Sequence, residues 1–152
     1  MATGLTFRRA GPDDAHSLRQ ITHAAYAKWV PVIGREPLPM TFDFADLVKK
    51  HRIELCLTET MITGLIQMIP SQGFMLLENL AVLPEWQAKG LGKALLEHGE
   101  AIAQKGGFAE MRLYTNQAFT ENIGFYKRRG YQITAHKPFK GGVLVDMAKH
   151  LA

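Results

Sequence analysis

The stretch LLENLAVLPEWQAKGLGK, Leu76 to Lys93, decides how this chain is read. It begins as an apolar run, Leu76 to Leu83, broken only by Glu78 and Asn79. That run predicts a strand, and Pro84 ends it because proline cannot donate to a sheet ladder. After a short polar link, Gln87-Ala88-Lys89-Gly90-Leu91-Gly92-Lys93 opens a helical pattern. Strand, glycine-bearing turn and helix start in that order build an anion site. The first turn of a helix leaves backbone N–H groups unpaired, and the helix dipole adds partial positive charge there. Gly90 and Gly92 carry no Cβ, so a ligand can approach the backbone closely.

Spacing excludes two nucleotide motifs. A phosphate loop ending at Gly92-Lys93 needs glycine at 87 and serine or threonine at 94, where the chain has Gln87 and Ala94. A dinucleotide fingerprint starting at Gly90 needs glycine at 95, where the chain has Leu95. What remains is Gln-x-x-Gly-x-Gly directly after a strand ending in Val82-Leu83-Pro84. This resembles the pyrophosphate-binding motif of the GNAT superfamily of acyl-CoA-dependent N-acetyltransferases. The resemblance implies acetyl-CoA as co-substrate, its pyrophosphate held by the backbone amides of Gln87, Ala88, Lys89, Gly90, Leu91, Gly92 and Lys93. Read without it, the same residues are a strand-to-helix turn that needs glycine.

Size and composition fit one soluble domain spanning 1–152: 47% of the 152 residues are apolar and 21% charged. No apolar run approaches the ~20 residues of a membrane helix, and MATGLTFRRAGPDD has no apolar region behind its arginines to make a secretory signal. A single cysteine, Cys56, allows no internal disulfide, in agreement with a reducing, cytoplasmic setting. Within the strand-like run Glu54 to Leu57 it reads as a small buried hydrophobe rather than a nucleophile. The net charge of +4 favours an anionic ligand, but no basic block supports nucleic-acid binding. The six histidines show no metal-ligand spacing, so no metal is expected.

Periodicity orders the rest of the chain. Thr3 to Arg9 predicts a strand, and Asp13 or Asp14 a cap for a helix from Ala15 to about Trp29, with Leu18, Ile21 and Ala25 inward. Val30 to Met40, punctuated by Pro31, Gly34, Pro37 and Pro39, predicts a binding-site loop. A short helix, Asp43 to His51, precedes strands Ile53 to Thr58 and Met61 to Ile69, which with Leu76 to Leu83 make an antiparallel meander. The helix after Gly92 runs to Lys105, its stripe Leu91, Leu95, Gly99 and Ile102 inward. Met111 to Tyr114 is a strand, Phe119 to Arg129 a helix, and Tyr131 to Ala135 and Val143 to Met147 close the chain as strands joined through Lys137 to Gly142. The order β-α-α-β-β-β-α-β-α-β-β is that of a GNAT domain, an α/β (α+β) fold with a mixed, mostly antiparallel central sheet flanked by about four helices.

A second stretch, LYTN at Leu113 to Asn116 followed by TENIGFYKRRGY at Thr120 to Tyr131, resembles the closing motif of that family. Asn122 and Tyr126 are four apart on a helix and share a face. The resemblance implies that Tyr126 lies beside the CoA sulfur, a proton donor to the leaving thiolate, and that Asn122 hydrogen-bonds the cofactor. It also implies that the backbone of Leu80, Ala81 and Val82 pairs with the pantetheine arm and polarises the acetyl carbonyl. Acetyl transfer needs a neutral amine, although alkyl amines titrate near ~10, so a base is required. Glu78 is the first candidate: it is the only acid in the central strand, and alternation puts it on the face shared by Leu76 and Leu80. His23 is a second. Tyr26, Trp29, Arg35 and Met40 flank the proline-rich loop, which in this fold borders the acceptor. Arg35 suits a carboxylate; Lys127, Arg128 and Arg129 read either as a contact to the cofactor's ribose phosphate or, in preference, as a solvated helix end.

The expected function is acetyl transfer from acetyl-CoA to a primary amine of a small acceptor, by direct attack in a ternary complex. Its alternatives are a non-catalytic acyl-CoA sensor and a protein acetyltransferase. Homodimers are common among the proteins this chain resembles.

Overall fold

A computed structural model describes residues 4–151; the expected start of the first strand at Thr3 lies outside them. The strands are β1 (Leu5–Arg9), β2 (Arg52–Thr58), β3 (Met61–Pro70), β4 (Phe74–Val82), β5 (Glu110–Asn116), β6 (Gln132–Phe139) and β7 (Gly142–His150). The helices are α1 (Ala15–Tyr26), α2 (Val30–Ile33), α3 (Phe44–Lys50), α4 (Leu91–Lys105) and α5 (Thr120–Arg128). One sheet holds all seven strands in the order β1-β2-β3-β4-β5-β7-β6. Every neighbouring pair is antiparallel except β4 and β5, which α4 joins as a parallel crossover.

Each face of the sheet packs a core. On one, α4 lays Leu91, Leu95, Leu96 and Ala103 against Ile66, Met68 and Leu77. Gly99 lets α4 approach closely: a Cβ there would sit 2.6 Å from Ile66 Cδ1. On the other, α1 and α3 bring Leu18, Ile21, Phe44 and Val48 onto Leu55, Leu65 and Ala81. Cys56 is fully buried and burial pushes its thiol up, so it is a packing residue.

The proline-rich stretch is more structured than the expected loop. α1 stops at Tyr26; a 3₁₀ turn, Ala27–Trp29, leads into α2, and a second, Leu38–Thr41, follows. Pro31 sits in the first turn of α2, where an N–H has no intrahelical partner anyway, and Gly34, at φ 74°, ends that helix. Asp14 does not cap α1 with its side chain; Arg8 engages its carboxylate at 2.9 Å, and it accepts from the Gly11 N–H at 2.8 Å. Asp43 does cap α3, accepting from the Asp46 N–H. The last hairpin is tighter than expected. Its turn is Lys140-Gly141, with φ of 46° and 78°, the left-handed pair of a type I′ turn. Pro138 is tolerated within β6 because β6 is an edge strand.

One irregularity positions everything that follows. Gln67 of β3 pairs with Asn79, but Met68 pairs with Leu77. Glu78 is therefore an extra residue in β4, a β-bulge. Past it the strand changes face. Leu77 packs on the α4 side, whereas Asn79 donates to Thr22 of α1 at 3.1 Å and Ala81 joins the α1 core, leaving Leu80 on the α4 side. Simple alternation, which put Glu78 on the face of Leu80, fails here because the bulge breaks the two-residue period.

Candidate active site

The bulge coincides with a fork in the sheet. β4 and β5 pair only from Phe74↔Glu110 to Leu77↔Leu113. Beyond that, β4 continues beside β3 alone and β5 beside β7 alone. At the throat of the fork the Tyr114 hydroxyl donates to Glu78 Oε1 at 2.5 Å. Burial holds the Glu78 carboxyl above the usual carboxylate range, although Tyr114's hydrogen bond pulls the other way. The Tyr114 phenol is itself pushed up, by burial and then by Glu78.

The inner edge of β4 is a ready ladder. The Leu83 N–H donates to Thr63 O at 3.0 Å, so the peptide groups of Ala81 and Leu83 face β3. Those of Leu80 and Val82, one residue out of phase, face the cleft. Their carbonyls have partners: Leu80 O accepts from the Tyr26 hydroxyl at 3.4 Å and Val82 O from Gln87 Nε2 at 3.0 Å. Their N–H groups point into the cleft. Of the three residues expected to pair with a ligand through the backbone, Ala81 is turned the wrong way.

This edge leads to the first turn of α4. Gly90, at φ 86°, is the N-cap, and Ala88 is also left-handed, at φ 61°. The Ala94 N–H makes the first intrahelical bond, to Gly90 O at 3.0 Å, so the N–H groups just before it have no helical acceptor. The Gln87 N–H, expected to join them, instead donates to Pro84 O at 3.2 Å. A Cβ on Gly92 would come within 3.4 Å of the Phe125 ring. Bare glycine thus keeps open the passage between α4 and α5.

A cleft of about 520 Å³ runs from the fork to this turn. Leu80, Ala81, Val82, Gln87, Ala88, Gly90, Gly92 and Lys93 line it, with Asn122 and Tyr126 of α5 opposite. Burial raises the Tyr126 phenol, which is 8% exposed. Two expected residues do not border the cleft. Leu91 is buried in the core beneath α4, and Lys89 points outward with its ammonium 5.7 Å from the Trp86 ring. Lys28, Lys93, Arg128 and Arg129 give the cleft a positive wall. Arg128 and Arg129 thus line it, whereas Lys127 does not. Arg129 lies over the Phe125 ring at 3.9 Å and donates to Phe125 O at 3.0 Å.

A second, smaller cavity of about 60 Å³ lies on the other side of Tyr26, which borders both. Glu78, Tyr114 and Asn116 from the fork, Arg35 and Pro37 from the proline-rich stretch, and Phe119 and Phe139 line it. Of the four residues expected at the acceptor, Tyr26 and Arg35 line this cavity. Trp29 borders the larger cleft instead, stacked on Phe119 at 4.6 Å, and Met40 is buried and borders neither. His23 also borders neither. Tyr114, Asn116 and Phe139 escape the sequence reading. The only available signal for Tyr114 was its place in LYTN, beside the strand that carries Glu78.

A protein-family model described as an acetyltransferase (GNAT) domain matches residues 51–133. Over 56 residues the chain is 39% identical to an uncharacterized N-acetyltransferase of Chlorobaculum tepidum, 37% of this chain and 33% of the relative. Over 55 residues it is 34% identical to a spermidine N(1)-acetyltransferase of Thermoplasma acidophilum, 36% of this chain and 34% of the relative. The matches thus span about a third of these curated relatives. Solved structures match nearly end to end at lower identity. The PaiA N-acetyltransferase of Thermoplasma acidophilum, in complex with coenzyme A, superposes at a TM-score of 0.82 with 19% identity over 96% of this chain and 98% of its own. The ribosomal-protein-S18-alanine N-acetyltransferase of Escherichia coli gives 0.80 with 21% identity over 97% and 94%. At those identities the likeness is one of fold, and it is the family match over more than half of the sequence that decides: the chain belongs to the GNAT family of acetyltransferases.

Proposed function

We propose that the protein is an N-acetyltransferase that binds acetyl-CoA in the larger cleft and passes the acetyl group to a primary amine in the smaller cavity. One observation carries this reading. The fork leaves the Leu80 and Val82 N–H groups facing a cleft that ends at the open first turn of α4. Acetyl-CoA supplies an activated acyl group, a ladder-forming amide arm and a pyrophosphate. The exposed edge of β4 matches the arm, and the amides from Ala88 to Lys93 match the pyrophosphate. A cleft-facing N–H of Leu80 or Val82 stabilises charge on the thioester oxygen.

The smaller cavity supplies the base. Glu78, raised by burial and steadied by Tyr114, accepts a proton from the incoming ammonium at a pH where an ordinary carboxylate is too weak a base. Tyr126, buried on the donor side, gives a proton to the departing sulfur; its raised pKa keeps it protonated and able to donate. Nucleophilic catalysis by Cys56 finds no support, since that thiol is buried in the core. The small second cavity favours a small-molecule acceptor over a folded protein. Release of free thiol from acetyl-CoA on addition of a panel of primary amines tests the reading. Amine-dependent release supports it, and tight acetyl-CoA binding with no release for any amine counts against it.

A further inference from the structure

The smaller cavity holds one cation and one carboxylate, and among the described residues neither forms an ion pair. Among the described residues, the Tyr114 hydroxyl is the hydrogen-bond partner of Glu78. Arg35, half-buried, donates to the Glu36 carbonyl at 3.3 Å and lies over the Phe139 ring at 5.3 Å. That leaves most of its planar fork of donors uncommitted. Lys140 adds a second positive charge at the same end, its ammonium 5.4 Å from the same ring. The rest of the lining is largely apolar, with Ile33, Pro37, Leu38, Phe119 and Leu144 beside the polar Thr115 and Asn116. A cavity lined by an arginine and a carboxyl that are not paired with each other complements a ligand carrying both an ammonium and a carboxylate.

We propose that the acceptor is a small amine bearing its own carboxylate, an amino acid with an apolar side chain. Its amine sits at Glu78 and its carboxylate on Arg35. The inference rests on the acetyltransferase reading and deepens it. The ammonium gives one proton to Glu78, and the freed nitrogen bonds to the acetyl carbon as the carbon–sulfur bond breaks. Tyr126 gives its proton to the CoA sulfur and takes up the second amine proton in its place, and Glu78 returns its own to solvent. The products are an N-acetylated acid and free CoA thiol. A polyamine fits poorly, because its second ammonium meets Arg35 and Lys140 instead of a carboxylate.

The test compares leucine, methionine and phenylalanine with their carboxamides and with spermidine, in two assays. One is thiol release from acetyl-CoA; the other is calorimetric binding to the CoA-saturated protein. The free acids are expected to exceed the carboxamides at least about tenfold in kcat/KM and in affinity. Arg35→Gln should bring that ratio to within about twofold, and Arg35→Lys should keep part of it, with acetyl-CoA affinity unchanged in both. Carboxamides or spermidine equal to the acids, a ratio unmoved by Arg35→Gln, or acetyl-CoA binding with no amine accepted would each overturn the proposal. Failure of the wild-type protein to bind acetyl-CoA would instead overturn the acetyltransferase reading, and this inference with it.

Discussion

Glu78 ties local backbone geometry to chemistry. As the bulged residue of β4 it is turned to the mouth of the fork, where burial favours its protonated form. A carboxyl whose folded pKa lies above its unfolded value stabilises the fold when protonated and loses that contribution as pH rises through the folded value. Turnover should rise over the same interval, because Glu78 in its proposed role as base acts deprotonated. Glu78→Gln is therefore expected to lower kcat about 10²-fold and flatten the acid limb of the pH–rate profile, with a melting temperature at neutral pH no lower than wild type. Kinetics against pH and a thermal melt check both halves. Tyr126→Phe removes a buried hydroxyl and keeps the ring packing on Phe125 and Tyr131. It should lower kcat about tenfold or more and leave acetyl-CoA affinity nearly unchanged, as steady-state kinetics beside calorimetry will show. Its place as the only acid of the central strand made Glu78 visible, and the resemblance of the closing motif made Tyr126 visible. The contact between Glu78 and Tyr114 was not visible, since it depends on two strands parting after Leu77 and Leu113.

Secondary elements show where sequence reading succeeds and where it stops. α4 was legible from end to end: two glycines open it, a stripe at helical spacing fills it, and Gly106-Gly107 follows it. Its inward face is packed tightly enough for a single methyl to matter. Gly99→Ala pushes a Cβ to 2.6 Å from Ile66 Cδ1 and 3.1 Å from Met68 Sδ, so a loss of about 1–3 kcal/mol is expected, read from denaturant unfolding. The β4 bulge was not legible. An apolar run interrupted by Glu78-Asn79 looks like ordinary alternation, and only cross-strand pairing with Gln67 and Met68 exposes the extra residue. The proline-rich stretch misled in another way. Four breakers in eleven residues read as loop, yet proline fits the first turn of α2 and of the following 3₁₀ turn, where no donor is needed. Met40 went wrong for the same reason: the 3₁₀ turn carries it into the interior.

Across the whole molecule the proposed reaction divides between the two cavities, with Tyr26 bordering both, and charge follows that division. The larger cleft is walled by Lys28, Lys93, Arg128 and Arg129 on a chain of net charge +4. Acetyl-CoA affinity should fall several-fold between about 0.05 and 0.5 M salt, as screening weakens the attraction. Calorimetry across that range measures it, and an affinity flat in salt would mean the basic wall contributes nothing to binding. The open edge of β4 and the first turn of α4 are proposed to form an acyl-CoA site. That site is tested most directly by titrating acetyl-CoA into the wild-type protein and into a Gly90→Asp/Gly92→Asp variant whose folding is checked by its melt. Carboxylates at this turn repel a pyrophosphate and block the approach that bare glycine leaves open. Micromolar binding by the wild type, lost in a folded variant, is the predicted result. Wild-type protein that does not bind acetyl-CoA, or a folded variant that binds it equally well, would rule out an acyl-CoA site at this turn.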